Sequence, residues 1–191
     1  MAELTELLDK ALKKDKLIGS GILTEVIDSV AALEYEGLID TVPALLPKLG
    51  KVLEPRISEI DEVGIDKSTE FVLKYVPNIT QKLISSDAEV RNELAQTEDM
   101  NFNLKAGNIV EAQVQIKGGQ ISFSPGLHDE RDFFITMSTP KLLRIMQRQD
   151  DIESGLIGGG IEMWSEGDEG DMEKAQSFLP LLTVILQKLR L

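Results

Sequence analysis

Few side chains in this sequence could do covalent or acid–base chemistry. The single histidine, His128, lies in the run His128-Asp129-Glu130-Arg131-Asp132. An imidazole there could move a proton, but no partner nucleophile is visible, and the run reads as a solvated loop. With one histidine and no cysteine, a zinc site is not expected. The acidic turn Glu166-Gly167-Asp168-Glu169-Gly170-Asp171 offers oxygen ligands for calcium, without the ligand order of an EF-hand. Gly155 and Gly158-Gly159-Gly160 match a phosphate loop in composition only. They lead into a strand, whereas phosphate cradles open a helix whose N–H groups hold the anion. The sequence therefore assigns no catalytic residue, no metal and no cofactor. From Asp132 onward it supplies Phe, Met, Leu and Trp on strands and helices, which argues for a container more than for a catalyst.

Composition narrows the partners. The formal net charge is −13. That field repels nucleic-acid phosphate and anionic membrane surfaces, so no nucleic-acid partner is expected. No apolar run reaches the roughly 18 residues of a membrane span, so stable membrane insertion is not expected. The N-terminus, Met1-Ala2-Glu3-Leu4-Thr5-Glu6, lacks the basic patch and apolar core of a signal peptide, and the absence of cysteine gives no sign of secretion. The expectation is an acidic, intracellular, cytoplasmic protein.

The elements that would position any site come in two kinds. Residues 1–65 read as a helical N-terminal extension. Leu4, Leu7, Leu8, Ala11 and Leu12 form one apolar stripe. A second helix carries Leu23, Val26, Ile27, Val30 and Leu33 and is expected to end near Gly37, after a break at Gly19-Ser20-Gly21. A third runs over Val42 to Leu53, capped by Asp40 or Thr41 with Pro43 in its first turn, and Pro47 is expected to kink or divide it. Residues 66–191 form the second unit. It opens with a helix from Asp66–Ser68, bent at Pro77. Ser86-Asp87-Ala88-Glu89 reads as a capping box with Ser86 as the cap, opening a helix to about Gln96.

Near Met100 the period changes from 3.6 to 2. Asn101–Leu104, Val110–Ile116 and Ile121–Ser124 alternate as half-buried strands. A two-residue loop at Gly118-Gly119 pairs Ile116 with Ile121 and Val114 with Phe123, all on the apolar face. A three-residue loop at Ala106-Gly107-Asn108 pairs Leu104 with Val110 and Phe102 with Ala112, whereas a two-residue loop would set Leu104 against Glu111. Phe133–Met137 is the fourth strand. Thr139 caps the next helix, with Pro140 at its first position. Residues 149–160 read as a loop and Ile161–Ser165 as the fifth strand. A last helix, kinked at Pro180, covers Met172–Leu189. Phe134 and Trp164 fall on the polar face of this sheet and require a cover. The N-terminal helices or a second subunit are expected to supply it, through a homodimer or a protein partner.

Phe133-Phe134-Ile135-Thr136-Met137-Ser138-Thr139-Pro140-Lys141-Leu142-Leu143, then Gly160-Ile161-Glu162-Met163, then Gly167-Asp168 with Ala175, stand in an order that resembles the sterol carrier protein type-two domain family. The resemblance covers roughly residue 67 to the end. Where the family usually carries a glycine shortly after its Leu-Leu helix, this chain has Gln147-Arg148-Gln149-Asp150-Asp151. The resemblance implies an α+β fold, in which an N-terminal helical region precedes a five-stranded, mostly antiparallel sheet with helices on one face. It also implies an apolar tunnel for a fatty acyl, sterol-like or isoprenoid ligand. The lining expected on the face assignments is Phe123, Phe133, Ile135, Leu142, Met146, Met163, Phe178 and Leu182. On spacing alone the same residues could close into a dry core, giving a scaffold or regulatory subunit that binds a protein through its N-terminal helices.

Overall fold

The computed structural model describes residues 2–14, 16–17, 21–167 and 169–189. The chain runs α1 (Ala2–Leu12), α2 (Ile22–Ala31), α3 (Tyr35–Leu53), a 3-10 turn, α4 (Ile57–Val63), α5 (Ile65–Ser86) and α6 (Ala88–Gln96). Then come β1 (Met100–Ala106), β2 (Val110–Lys117), β3 (Gln120–Pro125), β4 (Phe133–Met137), α7 (Thr139–Met146), α8 (Ile152–Gly158), β5 (Ile161–Trp164) and α9 (Glu169–Leu189). The fold is α+β. Its mixed five-stranded sheet has the order β3-β2-β1-β4-β5, with β1 and β4 parallel and the other pairs antiparallel.

Alternation on β2 buries Val110, Ala112, Val114 and Ile116 and turns Glu111, Gln113, Gln115 and Lys117 away. That apolar face meets Ile84 of α5, Val90 and Leu94 of α6, Ile145 of α7 and Phe178 and Leu181 of α9. A second core lies behind this helical layer. There Leu8, Val26, Leu38, Leu45 and Val52 of α1–α3 pack on Leu83, Met146, Ile185 and Leu189. The N-terminal helices therefore sit on the helices α5, α7 and α9.

Several expectations change. The second hairpin has the expected register, Ile116 opposite Ile121 and Val114 opposite Phe123. The first has a three-residue loop, but at Gly107-Asn108-Ile109. Leu104 faces Ala112 and Phe102 faces Val114. A shift of two residues keeps every side chain on its face, so alternation alone does not choose between the registers. Tertiary packing does: Ala106 pairs with both Val110 and Met137, and the Gly107 N–H donates to the Met137 carbonyl at 2.7 Å. Gly107 has φ +50°, and a Cβ there would lie 1.9 Å from Thr139 Oγ1.

The caps of α6 and α7 fall one residue from their expected places, whereas Asp40 and Thr41, the expected caps of the third helix, lie inside α3. Ser138 caps α7, accepting from the Lys141 N–H, and Thr139 instead accepts from the Asn108 N–H at 3.2 Å. Helix α5 continues through Ser86, so Asp87 caps α6, accepting from the N–H groups of Glu89 and Val90. The second helix ends at Ala31, short of Gly37. Helix α3 starts at Tyr35 and runs unbroken through Pro43 and Pro47. Pro47 deprives the Pro43 carbonyl of its helical donor, and Arg148 Nη2 replaces it at 2.8 Å. Arg148 has φ +56°, the only positive-φ non-glycine among the described residues. Gly50 lets the two helices approach, since a Cβ would lie 2.6 Å from Gln147 Cγ.

The expected loop at 149–160 contains α8. Asp151 caps it by accepting from the Ser154 N–H at 2.7 Å, and Gly159 (φ +79°) ends it. Gly19, Ser20 and Asp168, on which the first chain break and part of the acidic turn fall, lie outside the described residues.

Candidate functional site

An apolar cavity of about 240 Å³ lies between the sheet and the helices. All five strands border it: Ile121 and Phe123 of β3, Val114 of β2, Phe102 and Leu104 of β1, Ile135 and Met137 of β4, and Ile161 and Met163 of β5. Phe178, Leu182 and Ile185 of α9, Ile152 and Leu156 of α8 and Thr80 of α5 close the other side. Among the described residues Thr80 is its only polar lining residue. Strand alternation explains the floor, because residues two apart share a face. The i, i+4 spacing of Ile152 with Leu156 and of Phe178 with Leu182 explains the roof.

Five residues expected from sequence meet here: Phe123, Ile135, Met163, Phe178 and Leu182. Three lie elsewhere. Phe133 is fully buried, its ring stacked on Phe102 at 4.9 Å and 12°, so Phe102 stands where Phe133 was expected. Leu142 packs beside Ala106, Val110 and Ala112, at the end of the sheet that carries the β1–β2 loop. Met146, one turn further along α7, points into the core of α1–α3. Thr80, the α8 residues Ile152 and Leu156, Ile185 of α9 and the strand residues Phe102, Leu104, Val114, Ile121, Met137 and Ile161 were missed. A capping aspartate at 151 followed by Ile152 and Leu156 was the available signal for α8; for Thr80 the sequence holds none.

Glycines around α8 have a packing role. The Lys141 stem passes so close that a Cβ at Gly155 or Gly160 would lie 2.9 Å from its Cε. Its ammonium meets Asp150 Oδ2 at 2.5 Å. This hydrogen bond holds the Asp150 carboxyl below its ordinary pKa despite the opposing effect of desolvation. The lysine thus ties the start of α8 to α7. A second depression, bordered by Leu156, Gly159, Ile161, Glu162, Met163 and Trp164, adjoins the cavity at the β5 edge and shares Leu156, Ile161 and Met163 with it.

On the opposite face of the sheet, Phe134 and Trp164 stack at 4.2 Å and 9°, and the Arg131 guanidinium lies 4.4 Å from the Phe134 ring centre. The expected cover by the N-terminal helices is corrected, because those helices pack on α5, α7 and α9. The loop before β4 supplies the cover for Phe134, while Trp164 stays 37% exposed. Asn103, 1% exposed, anchors that loop: its amide donates to the His128 carbonyl and its oxygen accepts from the His128 N–H. The His128 ring lies at the exposed surface, 3.2 Å from the Pro125 carbonyl. Among the described residues no group of three or more His, Cys, Asp or Glu is placed to hold a metal. None of their helices is long and apolar enough to cross a membrane.

No protein-family model matches the chain, and no curated protein matches it. Solved structures with partial likeness include a ubiquinone synthesis protein, UbiJ-SCP2, at 11% identity and a TM-score of 0.43, over 61% of this chain and 93% of that one. A palmitated SCP2L2 from Aedes aegypti matches at 15% identity and a TM-score of 0.33, over 49% and 93%. A double mutant of the sec-alkyl sulfatase PisA1 matches at 18% identity and a TM-score of 0.39, over 56% of this chain. The match spans only 16% of the sulfatase's length. At these TM-scores none of the likenesses establishes a common fold.

Proposed function

We propose that this chain binds an apolar lipid in the cavity between the sheet and α5, α8 and α9, and holds or transfers it without altering it. The observation that carries the reading is a space of about 240 Å³ whose lining, among the described residues, has no charged residue and one hydroxyl. An engineered apolar cavity of roughly 150 Å³ already stays dry and takes up benzene. At about 30 Å³ per group, the present one has room for about eight methylenes. Each would contribute about 0.8 kcal/mol on leaving water. The described lining offers no titratable acid or base, and so none to activate its one hydroxyl, which supports a binding role. The motif order from Phe133 to Ala175 supports it too, through its resemblance to the sterol carrier family.

Native mass spectrometry of the purified protein, followed by organic extraction and lipid analysis, tests the proposal. The expected result is a stoichiometric apolar molecule, or stoichiometric uptake of an added one. A protein that is empty as purified and takes up neither fatty alcohols, fatty acids nor sterols overturns it.

A further inference from the structure

Resting on the lipid-binding reading, we infer that the ligand enters and leaves between α8 and β5, with α8 as a lid hinged at Gly158-Gly159-Gly160 and latched by the Lys141–Asp150 pair. The three helices that roof the cavity are held differently. α5 is tied to β3 by Gln81, whose amide donates to the Ile121 carbonyl at 3.4 Å, and to the end of α2 by Lys82, which donates to the Ala31 and Leu33 carbonyls. α9 is tied near both ends, through Lys174 to Asp132 and through Lys188 to Asp87 and Glu89. Around α8 the hydrogen bonds close locally. The Gly155 N–H donates to the Asp151 carbonyl, the Ser154 N–H to the Asp151 carboxylate and the Gly160 N–H to the Gly155 carbonyl. The helix can therefore tilt as a unit without stranding a buried backbone group. Its neighbour β5 is an edge strand, paired with β4 alone. The second depression lies on this seam and shares Leu156, Ile161 and Met163 with the cavity, so the same side chains face the cavity and the surface. Outside, Ile157 is 84% exposed, so nothing among the described residues blocks an outward swing. Neither close packing nor a positive φ accounts for Gly158, whose Cβ would meet no atom within 4 Å, but backbone freedom at a hinge does. The Lys141 stem passes against both Gly155 and Gly160 and ends on Asp150, which closes the lid on α7.

The test follows uptake and release of 1-bromooctane by stopped flow, through bromine quenching of Trp164, the only tryptophan. The chain has no cysteine, so paired cysteines can be bridged selectively by a reducible bismaleimide. One staple joins Ile157→Cys to Glu162→Cys across the α8–β5 seam. The other joins Gln81→Cys to Ser122→Cys across the α5–β3 edge. The α8–β5 staple should slow uptake and release about tenfold or more, with recovery on reduction, and the α5–β3 staple should change neither. Lys141→Met keeps the stem and removes the ammonium, so it should quicken both rates roughly fivefold and leave the affinity within about twofold. Gly158→Ala should slow both. Equal rates before and after reduction of the α8–β5 staple overturn the inference, as does slowing by the α5–β3 staple, and in both cases the lipid-binding reading stands. Failure of 1-bromooctane to bind the unstapled protein overturns that reading and the inference with it.

Discussion

Replacing Val114 by isoleucine tests, through the sign of a stability change, whether the space between sheet and helices is a cavity or a packed core. Val114 is 2% exposed in β2, paired with Phe102 on one side and Phe123 on the other, and it lines the cavity. The substitution keeps the β-branch, so strand preference changes little, and it adds one methylene. In empty apolar space that methylene gains about 0.8 kcal/mol. In a filled core it forces its neighbours off their rotamers, at about 1–3 kcal/mol. The expected outcome is therefore a delipidated variant about 0.8 kcal/mol more stable in urea, with an unchanged denaturant slope. The same variant has a second readout. Each methylene of an n-alkanol should tighten binding roughly fourfold until the cavity fills at about eight carbons, and affinity should then flatten. Val114→Ile should bring that plateau about one carbon earlier. Destabilisation by 1 kcal/mol or more in the lipid-free protein, or an affinity that climbs steadily well beyond the plateau length, would refute the reasoning.

Other substitutions test the frame around the cavity. Gly107→Ala should cost about 3 kcal/mol or more, or prevent folding, because its Cβ would lie 1.9 Å from Thr139 Oγ1 on a residue with positive φ; thermal denaturation reads it. Arg148→Ala removes the donor to the Pro43 carbonyl and should destabilise by about 1–3 kcal/mol. Arg148→Gly loses the same bond but relieves the left-handed backbone, so it should be about 1 kcal/mol less harmful; parallel urea curves compare the two. Asp87 gives a pH prediction. Burial pushes its carboxyl up, but the Tyr35 hydroxyl, the Val90 N–H and the Lys188 ammonium together lower it to about 2. A carboxyl held below its unfolded value stabilises the fold above that value and loses the contribution as the pH falls. About 1–2 kcal/mol should therefore disappear between about pH 4 and pH 2, and Asp87→Asn should flatten that limb.

What the sequence could and could not disclose follows from the kind of information each feature needs. Alternation places Val114, Ile116, Ile121 and Phe123 on one face, because burial of one side of a strand imposes period two. It does not distinguish registers two residues apart, and the first hairpin turned on Gly107 packing against Thr139. Capping residues were visible as types, yet Ser138 and Thr139 are both good caps, and so are Ser86 and Asp87. Choosing between neighbours requires the backbone angles that tertiary contacts fix. Helix α8 was concealed by its glycines, of which Gly155 makes room for the Lys141 stem. The site was legible as a set of apolar faces. That Phe133 stacks away from the cavity, or that Thr80 borders it, depends on how three helices and a sheet meet, and no periodicity records this.

The parallel seam between β1 and β4 bears on how the molecule assembles. The β1–β2–β3 meander can form locally, since its turns take three and two residues. β4 and β5 can pair through the compact α7–α8 connection. Neither piece has a closed core until Phe102 docks against Phe133 across the seam, a long-range step that follows only after considerable loop-closure entropy is lost. Before that docking each piece presents a bare strand edge beside an aromatic ring. Partly folded copies meeting at this stage find in one another's β4 the partner that their own β1 still lacks, so aggregation during refolding should begin at this seam and grow with protein concentration.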